Sequence, residues 1–233
     1  MSKKSELVGN YFGTIYLTVI SLLQGIVLSQ LVPNIIAYTK LAVDPWSDIR
    51  LIPLVMMLLI IFIVWHHYAI GIFFLRWFPN IIDTTIPFTV SIGQFFLLSY
   101  LTIETSVADI QVTSWATGFA VILILGSFAY FGASLRLDAG LFTNIMSLEN
   151  AVIHRRVSVR YYGWAGVAVL LQGIFALLSV LLGKENWLYI SLLFLTAHLV
   201  ISEYFLLRYV KVHFVNAVDE YDALHFPPKD SAT

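Results

Sequence analysis

Residues 51–75 read LIPLVMMLLIIFIVWHHYAIGIFFL, with Arg50 immediately before them and Arg76 immediately after. No Asp, Glu, Lys or Arg interrupts the run. A bilayer core takes about 20 mostly apolar residues as a helix, so the stretch is long enough to cross one. An amphipathic helix on a soluble domain keeps a polar face for water; here only His66 and His67 break the apolar surface.

Similar runs recur on both sides. The expected spans are residues 11–32, 51–75, 86–103, 114–135, 162–182 and 187–207, with Pro33-Asn34 ending the first. Composition agrees, since 59% of the chain is hydrophobic and 12% is charged, about half the charge of an ordinary soluble domain. The expected fold is therefore all-α, a polytopic membrane bundle of about six transmembrane helices. Lys3 and Lys4 precede the first apolar run, but residues 11–32 are too long for a signal-peptide core and no small-residue cleavage site follows. That run reads as a retained helix.

Lys and Arg set the orientation, because cytoplasmic loops carry their excess. With the N-terminus inside, Lys3, Lys4, Arg76, Arg136, Arg155, Arg156, Arg160, Arg208, Lys211 and Lys229 lie on the inner side, and Lys40, Arg50 and Lys184 on the outer. Both termini are then cytoplasmic, as in a multi-pass protein of the plasma membrane. Trp46, Trp115 and Trp187 fall at outer ends and Trp77 and Trp164 at inner ends, as an aromatic belt requires; Trp65 does not. The inner segment 138–160 carries Leu141, Ile145, Leu148 and Val152 at helical spacing, followed by Arg155, Arg156 and Arg160. It reads as an interfacial helix whose basic end meets lipid headgroups or a partner. Residues 213–233 read as a cytoplasmic tail, partly disordered. Leu22-Leu23-Gln24-Gly25-Ile26 in the first span recurs as Leu170-Leu171-Gln172-Gly173-Ile174 in the fifth, a weak internal echo.

Polar groups inside the spans resist insertion and need partners or water. Near mid-membrane lie Gln24, His66 with His67, Gln94, Gln172 and His198, with Glu203 about a turn further in. The first reading is a shared polar lining of Gln24, His66, Gln94, Gln172, His198 and Glu203; the second is a set of separate packing contacts. Small residues at Gly25, at Gly126, Ala129 and Ala133, and at Gly166, Gly173 and Ala176 mark close helix approaches.

No motif for phosphate binding, a metal clamp or a catalytic serine occurs, and cysteine is absent, so no cofactor, metal or catalytic residue is assigned. A net charge of −1 gives no reason to expect nucleic acid. The expectation is an oligomeric channel or small transporter for an ion or small solute, partnered by lipid and by copies of itself. The alternative is a membrane-anchored sensor or scaffold that docks a cytoplasmic protein. Chemistry by His and Glu ranks last.

Overall fold

In the computed structural model, residues 3–44, 46, 48–75, 81–138, 140, 142–143 and 145–225 are described, with side chains from residue 15 onward except at 45, 47, 72–84, 87, 139, 141, 144, 209–211 and 224–225. Helices α1 (Lys3–Leu41), α2 (Leu51–Leu75), α3 (Ile81–Ser99), α4 (Val112–Arg136), α5 (Leu148–Leu181), α6 (Asn186–Phe205) and α7 (Val212–His225) follow in order, and no strand occurs among the described residues. A helix satisfies every interior backbone group within itself, which a waterless medium demands.

Five helical stretches are long and apolar enough to cross a membrane: Ile15–Leu41, Leu51–Gly71, Val112–Arg136, Leu148–Leu181 and Asn186–Ala223. The apolar part of α3, Phe88–Ser99, is shorter. Its expected span reached residue 103, but the helix unwinds after Ser99. There Gln111 N–H donates to the Tyr100 carbonyl at 2.9 Å, and Asn34 Oδ1 accepts from Ile103 N–H at 3.2 Å. The loop is held by Asp109, whose carboxylate accepts the N–H groups of Glu104, Thr105 and Ser106 at 2.9–3.0 Å.

Three boundaries differ from expectation for physical reasons. Pro33 lies inside α1 rather than ending it. A proline forfeits one backbone bond, yet the helix runs on to Leu41, and Asn34 Nδ2 donates to the Gln30 carbonyl at 3.1 Å beside the break. The interfacial helix over 138–160 does not form as a unit. The described residues from Asp138 to Ser147 lie outside α-helix, with Phe142 and Met146 buried; Ser147 then caps α5 by accepting from Asn150 N–H, and α5 continues to Leu181. No glycine or proline between Leu148 and Tyr162 stops it. Leu148 and Val152 of the expected stripe are exposed, and Leu141 lies outside the described side chains. The segment after α6 is helical to His225, through a π-type turn at Leu206–Lys211; residues 226–233 lie outside the described ones.

In the bundle, α4 packs along α5, α5 on α6, α1 on α2 and α3, and α2 also on α6. The expected small faces explain the tightest seam. A Cβ on Gly173 falls 3.2 Å from the Ala120 carbonyl oxygen and 2.9 Å from Ile124 Cγ1, so α5 approaches the α4 backbone itself. The main apolar core joins α1, α2, α3, α4, α5 and α6 around Leu31, Met56, Leu97, Trp115, Val169 and Leu195. Trp115 is fully buried and stacked on Phe119 with centroids 4.5 Å apart. It is a core residue rather than the belt anchor expected, because inward-facing aromatic surface is removed from lipid by neighbouring helices. A separate small core of Phe142, Met146, Ala151 and Ala217 joins the start of α5 to α7.

Candidate functional site

The expected polar residues divide into three groups. Gln24 on α1 donates through Nε2 to Gln94 Oε1 on α3 at 3.0 Å and to Ser91 Oγ at 3.3 Å, and all three are buried. This group lies between two helices. Gln24 Oε1 and Gln94 Nε2 have no partner among the described residues.

The second group joins four helices. Gln172 on α5 places Nε2 3.2 Å from His198 Nδ1 on α6, and its backbone carbonyl accepts from Ser191 at 3.0 Å. The His198 ring stands edge-on to His67 of α2, centroids 5.2 Å apart. His67 in turn has Tyr130 Oη of α4 2.6 Å from Nδ1 and Tyr161 Oη of α5 3.3 Å from Nε2. His67 and Gln172 are 5% and 0% exposed. A buried imidazole with two neutral hydroxyl partners is fully satisfied, which is how such a polar body is tolerated in an apolar bundle. His198 Nε2 and Gln172 Oε1 have no partner among the described residues.

The third group lies at the bundle surface. His66 Nε2 and Glu203 Oε2 are 2.8 Å apart, with side chains 20% and 45% exposed. The two groups touch but are poorly aligned for a hydrogen bond, and the contact is ionic only where the ring is protonated. His66 and His67 are adjacent, so a helix turns them about 100° apart; one meets Glu203 and the other the four-helix centre.

Among the described residues, Gln172 thus meets His198, Gln24 pairs with Gln94 and His66 lies against Glu203, so the six make their contacts in three separate sets. The centre is His67, with Tyr130 and Tyr161 beside it. Neither tyrosine interrupts the apolar pattern of its span, because phenol is mostly apolar, although Tyr in such a span usually seeks a partner for its hydroxyl.

Arg155, Arg156 and Arg160 lie on the first half of α5 and are exposed, and Arg155 Nε donates to the Leu137 carbonyl at 2.7 Å. That bond ties the loop after α4 to α5. Among the described residues, no group of three or more His, Asp or Glu side chains is placed to hold a metal ion.

No family model matches the chain, and no curated protein or solved structure matches it either.

Proposed function

We propose that this multi-pass membrane protein moves a proton or another small solute through the centre formed by His67, His198, Gln172, Tyr130 and Tyr161. The observation that carries this reading is the set of contacts converging on His67 from α4, α5 and α6. Imidazole and phenol both donate and accept, so one proton can be exchanged along such contacts without leaving a bare charge in the apolar medium. The other end of the bundle is closed by apolar side chains, among them Leu31, Met56 and Trp115. That favours a carrier that opens to one side at a time over a standing pore. On the expected orientation the centre lies toward the cytoplasmic side, with His66 and Glu203 beside it.

Flux into liposomes holding purified protein tests this. Wild type should dissipate an imposed proton or monovalent-cation gradient, His67→Ala should abolish the flux, and Phe96→Leu on the outward face of α3 should leave it unchanged. Absence of wild-type flux, or equal flux in His67→Ala, means that the centre only packs.

The scaffold reading draws support from the small core joining α5 to α7, which gives that end a folded surface with Arg156 and Arg160 exposed on α5. Changing Arg155, Arg156 and Arg160 together to Gln should then release a cytoplasmic partner. Homo-oligomerisation is proposed on α1, where Thr18, Ser21, Gly25 and Ser29 are exposed. Gly25→Leu should reduce the particle to a monomer by mass measurement in nanodiscs.

A further inference from the structure

The contact of His66 with Glu203 stands at the bundle surface, yet three observations tie it to the His67 centre. The first is its depth. From Asn186 to Glu203, α6 rises about 26 Å, which leaves Glu203 a few ångströms short of the inner edge of a hydrocarbon core about 30 Å thick. A carboxylate there reaches water, and this side chain is 45% exposed.

The second is the chemistry of the pair. Glu203 Oε2 lies 2.8 Å from His66 Nε2, and carboxylate and imidazole can each hold a proton. A proton on one therefore has a second resting place on the other. The third is the way inward. The His66 and His67 rings have centroids 6.1 Å apart. Tyr161 bridges the remaining distance: its Oη is 3.3 Å from His67 Nε2, and its hydroxyl lies within electrostatic reach of Glu203. Its ring is buried and stacked on Phe205 of α6, centroids 5.5 Å apart, which holds the phenol between α6 and α2.

We propose that His66 and Glu203 are the proton-loading pair of the His67 centre, taking up one proton from the cytoplasmic side and delivering it through Tyr161. The inference rests on the transport reading and narrows its cargo to the proton. A metal ion needs several oxygen ligands around it, whereas a proton needs only O–H and N–H groups in succession. Loading forms one O–H bond on Glu203. That proton then moves to the Tyr161 oxygen as the Tyr161 proton passes to His67 Nε2, so one O–H bond breaks and one N–H bond forms overall. Glu203 is left negative and the ring positive, with the Tyr161 oxygen facing Nε2 and the Tyr130 oxygen 2.6 Å from Nδ1. Among the described residues, the other titratable groups facing the pair are Tyr161 on α5 and His67 on α2. Tyr204 and Arg208 leave α6 about 100° and 140° round from Glu203.

Proton flux into liposomes holding the full-length protein tests this, driven by membrane potential at equal pH on both sides and read with a trapped pH dye. Wild-type flux should change between about pH 5 and pH 8, the range in which an imidazole changes charge. Glu203→Gln should lower it at least about a hundredfold, the lower end of what a positioned acid–base group contributes, and flatten the profile while melting like wild type. Glu203→Asp should keep the profile at a reduced rate. His66→Gln keeps a polar side chain but takes up no proton, and should flatten the profile as well. Glu185→Gln, at the opposite end of α6, should match wild type in rate and profile. Absence of wild-type flux, or equal flux in His67→Ala, overturns the transport reading and this one with it. Loss of flux in His67→Ala beside wild-type rate and profile in Glu203→Gln or His66→Gln overturns the loading pair alone.

Discussion

At the scale of single residues, His67 decides more than its neighbour His66. Both break the same apolar run, but His67 is buried among hydroxyl groups whereas His66 meets a half-exposed carboxylate. Removing the Tyr130 hydroxyl leaves His67 Nδ1 without its 2.6 Å partner. Tyr130→Phe should therefore cost about 1–2 kcal/mol, the range for a bond lost in a buried site or between membrane helices, measured by unfolding in mixed micelles. His66→Ala should cost about 0–1 kcal/mol, since a half-exposed pair is partly screened. A larger loss for His66→Ala than for Tyr130→Phe would reverse the assignment. Asp109 offers a pH-dependent case outside the apolar helices. The backbone N–H of Thr105, then those of Ser106 and Glu104, hold its carboxyl below the ordinary aspartate value. A depressed folded value means that its contribution is present above the unfolded value of about 3.9 and is lost as pH falls through the lower folded one. Asp109→Asn should accordingly be less stable than wild type at pH 6, and the two melting temperatures should converge below about pH 4. A gap that stays constant down to pH 3 would contradict this.

At the scale of the element, small residues have meaning only through what faces them. Gly173 has the α4 backbone within contact of an added Cβ, whereas Gly163, ten residues earlier on the same helix, has open space. Gly173→Ala should destabilise by about 1–3 kcal/mol, because overpacking against backbone cannot be relieved by a rotamer change. Gly163→Ala should be neutral or better by up to about 1 kcal/mol, the helix-propensity gain. Thermal unfolding in detergent separates them, and equal melting temperatures would refute the close seam. Helix existence was legible in the sequence for most spans, as residues 51–75 and 114–135 illustrate against α2 and α4. Helix ends were less so. Pro33 marks a stop in a water-exposed helix, and the arginines in the first half of α5 suggest a headgroup layer and so a separate interfacial helix.

At the scale of the whole molecule, orientation is the first thing to test. On the charge distribution, reporter fusions at Lys40, Asp109 and Lys184 should appear external and those at Asp83, Asn150 and Asp230 cytoplasmic. One reporter on the opposite side would overturn the six-span map, and α3 is the span under most strain in it because its apolar part is short.

The sequence by itself determined that the chain is helical and apolar enough to cross a membrane several times, because insertion depends on composition summed over about 20 residues, a quantity independent of partners. It also marked which polar residues needed an explanation, among them Gln24, Gln172, His198 and Glu203. Which of them would meet was decided by tertiary structure alone. A helix apolar on every side, such as α2, carries no stripe to say which face turns inward. The rotation that buries His67 and leaves His66 at the surface and the pairing of Gln24 with Gln94 follow from how the helices pack, and packing between apolar surfaces is set by shape, which no single segment contains.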